Sequence, residues 1–505
     1  MKTNVNFKKK SKRSRGRRRL SAGLVLAAAL VAAVLLLHSS HPVVRRERRA
    51  SVHRVAATGW NDSDRRKLQR EIAMLMKPSL RGASAWSCTV LAADGMRLYG
   101  DRAEAAVTPA SAQKVIVAAT ALHVLGAQFR FPTLLAAVSQ PQGGNLAGDL
   151  WLIGAGDPSL VSNDLRGGLK RLMQQGLRQI DGGIVVDASA FRGPEYNPFW
   201  SLDDANEDYA APTSGISLDQ DTAEFEITGT NAGERAQIQL EPRSNAISYS
   251  GAIKTTGSSQ DSTVIIGAAQ TGNQFILSGH LPAGDREVYY LPIRGVPTYV
   301  GSVLAQMLRD RGIHTGRPAR LGNAPLGLGV LWEHHSQPLH ELIGKMLFES
   351  NNHFAEQVLR TIGASQGAAG SDANGLLAER TYLRALDVAT PGLHLVDGSG
   401  LSDDDRIASI TLARLLAREN RLPGGNPIYQ LLPRGGLDGT LRNYRFGSAL
   451  GRVRAKSGHI TGVESLAGYV NTRRHGRLIF AFMVNGSPGD PDDAIVASVD
   501  RLADF

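Results

Sequence analysis

The chain has 505 residues, which is enough for two or more domains with substantial cores. Its formal charge of +11 would fit a nucleic-acid or membrane partner, but the basic residues are unevenly distributed. Residues 1–57 hold fifteen lysines and arginines against Glu47, whereas residues 58–505 hold 42 basic and 45 acidic residues. The main part of the chain is therefore close to neutral, which argues against nucleic acid as a partner. Cys88 is the single cysteine, so an internal disulfide is excluded.

The basic excess belongs to a leader with three parts. Residues 1–19 carry ten lysines and arginines and form a predicted cytoplasmic tail, and residues 20–37 carry no charge and are mostly Ala, Val and Leu. As a helix, the second part spans roughly 27 Å, which is close to the hydrocarbon thickness of a bilayer. We expect an inner-membrane anchor or, alternatively, a cleaved signal peptide. A polar linker at 38–60 then leads to a periplasmic or otherwise extracytoplasmic protein.

The hydrophobic pattern of the remaining chain predicts a mixed α/β protein in three consecutive stretches. The first contains a helix at 62–76, a hairpin of strands 86–92 and 96–99, and an apolar helix that starts near Ser111 and stops at Gly126. The second begins as a βαβ unit (150–153, 164–175, 183–186) and continues as short alternating strands at 224–227, 236–240, 246–250, 263–266 and 275–278. The third has helices at 298–311, 338–349, 354–362 and 378–385, strands at 452–456, 465–471 and 478–485, and a closing helix at 491–502.

The first chemical motif, Ser111-Ala112-Gln113-Lys114, lies at the start of the apolar helix. Pro109 fits the beginning of a helix, and the three-residue spacing puts Ser111 and Lys114 on one face. A serine hydroxyl becomes a nucleophile when a base takes its proton, and a lysine can be that base when burial lowers its pKa. The helix N-terminus adds a positive field that suits a developing oxyanion. A Ser-x-x-Lys also occurs by chance in ordinary exposed helix turns, so the motif alone leaves both interpretations open.

Two further tripeptides give the motif a context. Ser350-Asn351-Asn352 lies between two predicted helices, and Lys456-Ser457-Gly458 ends a predicted strand. In this order the three motifs resemble those of the active-site serine β-lactamases and penicillin-binding proteins. A substrate ending in D-alanyl-D-alanine explains the residue types. A lysine followed by a hydroxyl can hold its terminal carboxylate, an asparagine can bond the acyl-side amide, and a second serine can pass a proton to the leaving amine.

Four flanking stretches make the resemblance closer: 154–160 (Gly-Ala-Gly-Asp-Pro-Ser-Leu), 397–402 (Asp-Gly-Ser-Gly-Leu-Ser), 435–441 and 453–458. They are similar to the D-alanyl-D-alanine carboxypeptidase/endopeptidase family, the class C low-molecular-mass penicillin-binding proteins, which inserts extra domains between the first two motifs. Over about residues 60–505 the resemblance implies a D,D-peptidase fold, with an antiparallel sheet flanked by helices. Residues 61–126 and 296–505 would form this catalytic domain, with inserted β-rich domains at 127–295. The implied activity is that of a serine-type D-Ala-D-Ala carboxypeptidase of cell-wall peptidoglycan.

The resemblance also implies a role for each matching residue. Five are implied to be catalytic: Ser111 as the acylated nucleophile, Lys114 as its general base, Ser350 as a proton relay, Asn352 in orienting the substrate, and Lys456 as a positive charge beside them. Four are implied to bind substrate: Ser457 through the terminal carboxylate, Gly458 by letting the substrate approach the strand, His459 by a backbone N–H that completes an oxyanion hole with that of Ser111, and Asp187 through the amino group of the stem peptide.

Two positions depart from the family pattern. Asn351 stands where Asp is common, and we expect little effect because that side chain points away from the substrate. After residues 397–402 many relatives carry an arginine that helps to recognise the stem-peptide side chain, but here Asp403 stands there and Arg406 follows three positions later. Preference for a diaminopimelate-type side chain therefore stays open.

The expected partners are peptidoglycan stem peptides, β-lactams as covalent inhibitors, and the membrane through the leader. No metal or cofactor is expected. His340-Glu341 lacks the second histidine of a zinc motif, so we interpret it and Glu333-His334-His335 as solvated or core residues in preference to ligands. Two other functions remain open. A serine β-lactamase is disfavoured because neither a deacylating Glu arrangement nor a Tyr in the second motif is found. A non-catalytic wall-binding protein is disfavoured because the polar groups of all three motifs are present.

Overall fold

The computed structural model describes residues 59–269 and 272–505. The predicted basic tail and apolar segment lie outside the described residues, as does the linker up to residue 58. Among the helices that the structure describes, none combines the length and the apolar content needed to cross a membrane. The predicted anchor is therefore not tested by this structure.

A five-stranded antiparallel sheet forms the centre of the first part of the fold. Its strands, in spatial order, are Arg97–Asp101, Ala85–Ala92, Arg477–Asn485, Val463–Asn471 and Val453–Ile460. The three inner strands are buried along nearly their whole length, which explains their continuous apolar runs. Val453–Ile460 is an edge strand, so one side of the third motif has no strand neighbour within the described chain.

Helices cover both faces of this sheet. Asp62–Leu80 and Asp492–Asp504 pack on one face, around Leu68, Ile72 and Val499. The helices of the other face share a second core and are Lys114–Val124, Leu339–Glu349, Asn352–Ala364, Asp372–Ala385, Ser409–Glu419 and the short Pro427–Leu431. The predicted stop at Gly126 is present, with a φ of 87° just after Lys114–Val124. The layered arrangement confirms the predicted fold class.

A second five-stranded sheet forms the centre of the inserted part. Its order is Arg320–Leu321, Ile184–Asp187, Leu150–Gly154, Pro132–Ala137 and Gly329–His335, and helices Ser162–Gln174 and Val296–Arg309 pack on it. Leu150–Gly154 and Ile184–Asp187 are parallel neighbours, which confirms the predicted βαβ unit. The structure places the end of this part later than predicted. Residues 296–335 share the core of the inserted sheet, and the chain returns to the first sheet at helix Leu339–Glu349.

Short strands complete the inserted part. Thr222–Thr228 lies between Gln237–Glu241 and Arg286–Pro292, and its alternating burial places Phe225 and Ile227 in the core. The remaining small sheets are Ser248–Gly251, Gln274–Ser278 and Ile265–Ala268; Lys254–Thr256 with His280–Pro282; and His314–Thr315, Gln179–Ile180 and Asn145–Leu146. Ala106–Val107 pairs with Ile407–Ala408 next to the first motif.

Candidate active site

The Ser111 turn is held in an unusual backbone conformation at the start of a buried helix. Ala110–Gln113 is a 3₁₀ turn that continues into helix Lys114–Val124, and Ala110 has a φ of 46°. Gly400 packs directly on the Ala110 carbonyl, where a side chain would collide. Ser111 is partly exposed, whereas Ala112, Gln113 and Lys114 are buried. The turn therefore presents one hydroxyl to the surface and directs the lysine inward.

Lys114 is the centre of the site. Its Nζ lies 2.8 Å from Ser111 Oγ and donates to Asn352 Oδ1 at 2.6 Å and to the Ser399 carbonyl at 2.7 Å. The side chain is fully buried. Burial lowers the pKa of Lys114 to about 7, although the nearby charges of Asp397 and Glu356 act in the opposite direction. Near neutral pH a substantial fraction of this amine is therefore unprotonated and able to act as a base.

The second motif connects two helices. Ser350 ends helix Leu339–Glu349 in the left-handed conformation, with a φ of 60°. Asn351 caps the next helix, because its Oδ1 accepts from the backbone N–H of Phe354 at 2.9 Å. Asn352 then reaches Lys114 with its oxygen and donates to the Tyr209 carbonyl at 2.8 Å. Asp is also a good N-cap, so an Asp at position 351 would cap this helix in the same way.

The third motif lies on the edge strand Val453–Ile460. Lys456 is fully buried, and its Nζ donates to the Ser457 carbonyl at 2.6 Å. Burial, helped by the positive charge of Lys114, holds the pKa of Lys456 well below its ordinary value. The two motif lysines are therefore near enough to influence each other. Ser457 Oγ donates to Thr440 Oγ1 at 2.9 Å, so Thr440 orients the hydroxyl of the third motif.

Gly458 joins the third motif to the first. A Cβ at this position would lie 2.7 Å from the backbone nitrogen of Ser111, 2.8 Å from that of Ala112, and in collision with Ser465 Oγ. Ser465 Oγ also donates to the Pro109 carbonyl at 2.6 Å. A glycine is therefore required here for the strand to approach the Ser111 turn. The sequence predicted a different reason, namely that the glycine lets the substrate approach the strand.

The side chain of His459 is mostly exposed and contacts the Glu464 carboxyl, so its predicted contribution is confined to its backbone N–H. Burial and the nearby Asp492 raise the pKa of Glu464 to about 7. Glu464, Asp490 and Asp492 have carboxylate oxygens within 4.8 Å of one another, the one group in the described chain whose ligand atoms converge closely enough to hold a metal ion. Asp490 is exposed, and its Oδ1 accepts from the backbone N–H of Asp492 at 2.9 Å. This hydrogen bond explains why these two acidic residues lie close together without an ion.

The loop 397–402 supplies functional groups that the motif analysis missed. Its Ser399 carbonyl accepts from Lys114, and the backbone N–H groups of Gly398 and Ser399 donate to Glu356 Oε1 at 3.0 and 2.7 Å. Asp397 in turn accepts from the Trp200 indole at 2.8 Å. Burial is the main cause that raises the pKa of Glu356 to about 8. The tripeptide Asp-Gly-Ser was visible in the sequence, but its connection to Glu356 was not.

Asp187, predicted to bind substrate, and Arg406, whose role the sequence leaves open, both have partners within the protein. Asp187 is buried at the end of strand Ile184–Asp187 and accepts from the backbone N–H groups of Ser189 at 2.8 Å and Ala324 at 2.7 Å. Both of its oxygens therefore hold together the inserted sheet, and no contact with the Lys114 cluster is present in the described chain. Arg406 is bound locally, since it donates to Thr108 Oγ1 and to backbone carbonyls.

A serine hydroxyl beside a buried lysine, next to an edge strand that carries a second buried lysine, is the arrangement typical of serine hydrolases that act by acyl transfer. The D-Ala-D-Ala carboxypeptidase 3 (S13) family model matches residues 68–504, and the chain belongs to this family. A D-alanyl-D-alanine carboxypeptidase of Actinomadura sp. (strain R39) is 30% identical over 450 residues, which cover 86% of this chain and 84% of the relative. The D-alanyl-D-alanine carboxypeptidase DacB of Haemophilus influenzae is 28% identical over 391 residues. The match covers 75% of this chain and 81% of the relative.

The fold is similar to that of a solved structure as well. Penicillin-binding protein 4 (dacB) of Haemophilus influenzae superposes with a TM-score of 0.75 at 24% identity, and the match covers 86% of this chain and 99% of that one. The same protein has been solved in complex with a β-lactam. The predicted family and fold are thereby confirmed.

Proposed function

We propose that the protein removes the terminal D-alanine from peptidoglycan stem peptides through an acyl-enzyme on Ser111. The observation that carries the proposal is the buried Lys114 Nζ, 2.8 Å from Ser111 Oγ, with its pKa lowered to about 7 by burial. A neutral amine has two N–H donors and one lone pair. The Asn352 side chain and the Ser399 carbonyl accept from the two donors, which leaves the lone pair for the Ser111 hydroxyl.

The reaction would follow from this geometry. Ser111 Oγ would add to the carbonyl carbon of the penultimate D-alanine and give a tetrahedral adduct, while its proton passes to Lys114. The backbone N–H groups of Ser111 and His459 would stabilise the oxyanion. The amide C–N bond would then break, which leaves an ester on Ser111, and the amine of D-alanine would depart with a proton relayed by Ser350. Water hydrolyses the ester and restores the Ser111 hydroxyl.

The third motif would bind the substrate's free carboxylate. Lys456 would supply N–H donors, and positive charge once a bound carboxylate favours its protonated form; Ser457, whose hydroxyl donates to Thr440, would supply a hydroxyl on strand Val453–Ile460. A β-lactam offers a carboxylate and a strained amide in the same relation, so we expect penicillin to acylate Ser111. We also propose endopeptidase action on D-centred cross-links, because the acyl-transfer step is the same with a larger leaving amine.

The test is D-alanine release from a pentapeptide ending in D-Ala-D-Ala, measured with the full chain and with Ser111→Ala. We expect release by the wild type alone. Equal release by both proteins would refute the nucleophile, and no release by either would favour the non-catalytic wall-binding alternative. Rapid hydrolysis of penicillin, in place of a lasting adduct, would favour the β-lactamase alternative.

Peptidoglycan lies outside the cytoplasm, so we place the protein's action on the extracytoplasmic side of the cell envelope. The apolar run at 20–37 is the proposed anchor or signal segment, because its length matches a bilayer and ten basic residues precede it. Fractionation of cells that express the full chain tests this location. Recovery of the protein from washed membranes supports the anchor, and a soluble, shortened protein supports cleavage.

A further inference from the structure

A cleft of about 940 Å³ begins at residues 350–352 and continues along the inserted part of the fold. Its other walls come from the first turn of helix Ser162–Gln174, from strands Thr222–Thr228 and Gln237–Glu241, and from Tyr290. Because Asn352 also contacts Lys114, a ligand in this cleft lies beside the proposed acyl-transfer centre. The volume is near the upper end of the range of roughly 300–1,000 Å³ that ligand pockets span, and it exceeds what a terminal dipeptide needs.

The charge of the cleft selects against anionic ligands. Its described lining contains one guanidinium, Arg166, which is already paired with Glu241 at 2.9 Å. The carboxylates of the lining are Asp208, Asp219, Glu224, Glu241 and Glu349. A phosphate-rich polymer or a peptide with several free carboxylates would be repelled, whereas a neutral ligand would not.

The uncharged residues of the lining suit a polyhydroxylated ligand. The rings of Tyr209 and Tyr290 are 44% and 48% exposed, so each offers an apolar face next to polar groups. The Asn351 amide donates to Gln220 at 2.5 Å. Gln239 is exposed on strand Gln237–Glu241, an edge of the three-stranded sheet in the inserted part. Side-chain amides in fixed positions can both accept from and donate to hydroxyls, and carboxylates can accept from them. The apolar C–H face of a sugar ring packs well on a tyrosine ring.

We propose that this cleft binds the glycan strand of peptidoglycan, a neutral polymer of N-acetylated amino sugars, while the attached stem peptide lies at Ser111. This inference rests on the proposed D,D-peptidase function, because the glycan is held at the site together with its peptide. The competing occupant is the second stem peptide of a cross-linked dimer. Its free carboxylates would lie against the acidic lining, which favours the glycan.

The experiment measures kcat/KM of the full chain for three substrates. They are a free D-Ala-D-Ala pentapeptide, the same peptide linked to its disaccharide, and a sugar-free cross-linked peptide dimer. The variant is Tyr290→Ala, and the matched control is Tyr249→Ala, an equally exposed tyrosine outside the cleft. We expect Tyr290→Ala to lower the ratio of kcat/KM for the disaccharide-linked over the free peptide by about tenfold, as loss of an aromatic contact would. The control should leave that ratio within about twofold.

An unchanged ratio in Tyr290→Ala, with the wild-type melting temperature retained, would overturn the inference. Loss confined to the cross-linked dimer would assign the cleft to a second peptide and would also overturn it. Gln239→Ala gives a second variant in the same cleft if Tyr290→Ala does not fold. Absence of D-alanine release from all three substrates by the wild type would refute the proposed function itself, a result distinguishable from an unchanged ratio.

Discussion

Substitution of Gly458 by alanine tests how the third motif positions the nucleophile. The added Cβ would lie 2.7 Å from the Ser111 nitrogen and 2.8 Å from the Ala112 nitrogen, and it would collide with Ser465. Ordinary van der Waals contact begins at 3.4 Å, so the Ser111 nitrogen would have to move by roughly 0.7 Å. That movement changes the position of both the hydroxyl and the backbone N–H that would bind the oxyanion.

The expected magnitude follows from this displacement. A misplacement of about 1 Å costs on the order of 100-fold in rate, so a shift of roughly 0.7 Å should slow acylation by about 10- to 100-fold. Overpacking of a buried contact costs about 1–3 kcal/mol of the free energy of unfolding. The loss of rate should therefore accompany only a moderate loss of stability.

The assay is the second-order rate constant of acylation by a fluorescent penicillin, together with thermal unfolding of the same samples. Gly489→Ala is the control, because no atom lies within 4 Å of the position where its Cβ would be. Acylation of Gly458→Ala at a rate within about twofold of the wild type would refute the reasoning. It would mean that the strand does not hold the Ser111 turn in place.

Three further predictions concern groups around this centre. Acylation should increase with pH through about 7 and level off above it, because burial lowers the pKa of Lys114 to about 7 and the unprotonated amine is the base. Glu356→Ala should slow acylation at least tenfold and lower the melting temperature. The reason is that two buried backbone N–H groups lose their acceptor and the Ser399 carbonyl moves away from Lys114. Glu356→Gln keeps an acceptor and should retain most of the rate. Asp187→Asn should destabilise the protein by about 1–3 kcal/mol in thermal unfolding and leave KM for the pentapeptide unchanged, because Asp187 accepts two backbone N–H groups.

Each of these predictions has a contrary result. A rate independent of pH between 5.5 and 8.5 would contradict a lysine base with a pKa of about 7. Equal loss of acylation in the Gln and Ala variants of Glu356 would show that its charge, and not its acceptor geometry, is what matters. A higher KM for Asp187→Asn at unchanged stability would return Asp187 to the role of substrate recognition that the family resemblance implied.

Local pattern predicted most helices and strands of the catalytic sheet and its neighbours. The hairpin through Asp94-Gly95 and the end of the first motif's helix at Gly126 follow from residues whose backbone preferences are strong. The pattern also predicts helix Val296–Arg309, at 298–311, but assigns it to the catalytic part. In the structure its buried side chains belong to the core of the inserted sheet. An amphipathic pattern specifies that a face is buried and does not specify the sheet on which it packs.

The motif residues were predictable because their types and spacing indicate the chemistry. The residues that hold them in place were not predictable. Glu356 lies beneath the site because helix Asn352–Ala364 and loop 397–402 meet in three dimensions, more than forty positions apart in the chain. The closeness of Gly458 to Ser111 spans more than three hundred positions. A single sequence contains no record of such contacts.

The most direct test of the central claim is the intact mass of the full chain after incubation with penicillin, with Ser111→Ala alongside. We predict that the wild-type mass increases by that of one penicillin molecule and persists, whereas the variant does not change. An equal adduct on both proteins would place the nucleophile elsewhere. No adduct and no penicillin hydrolysis with the wild type would contradict acyl transfer at this site.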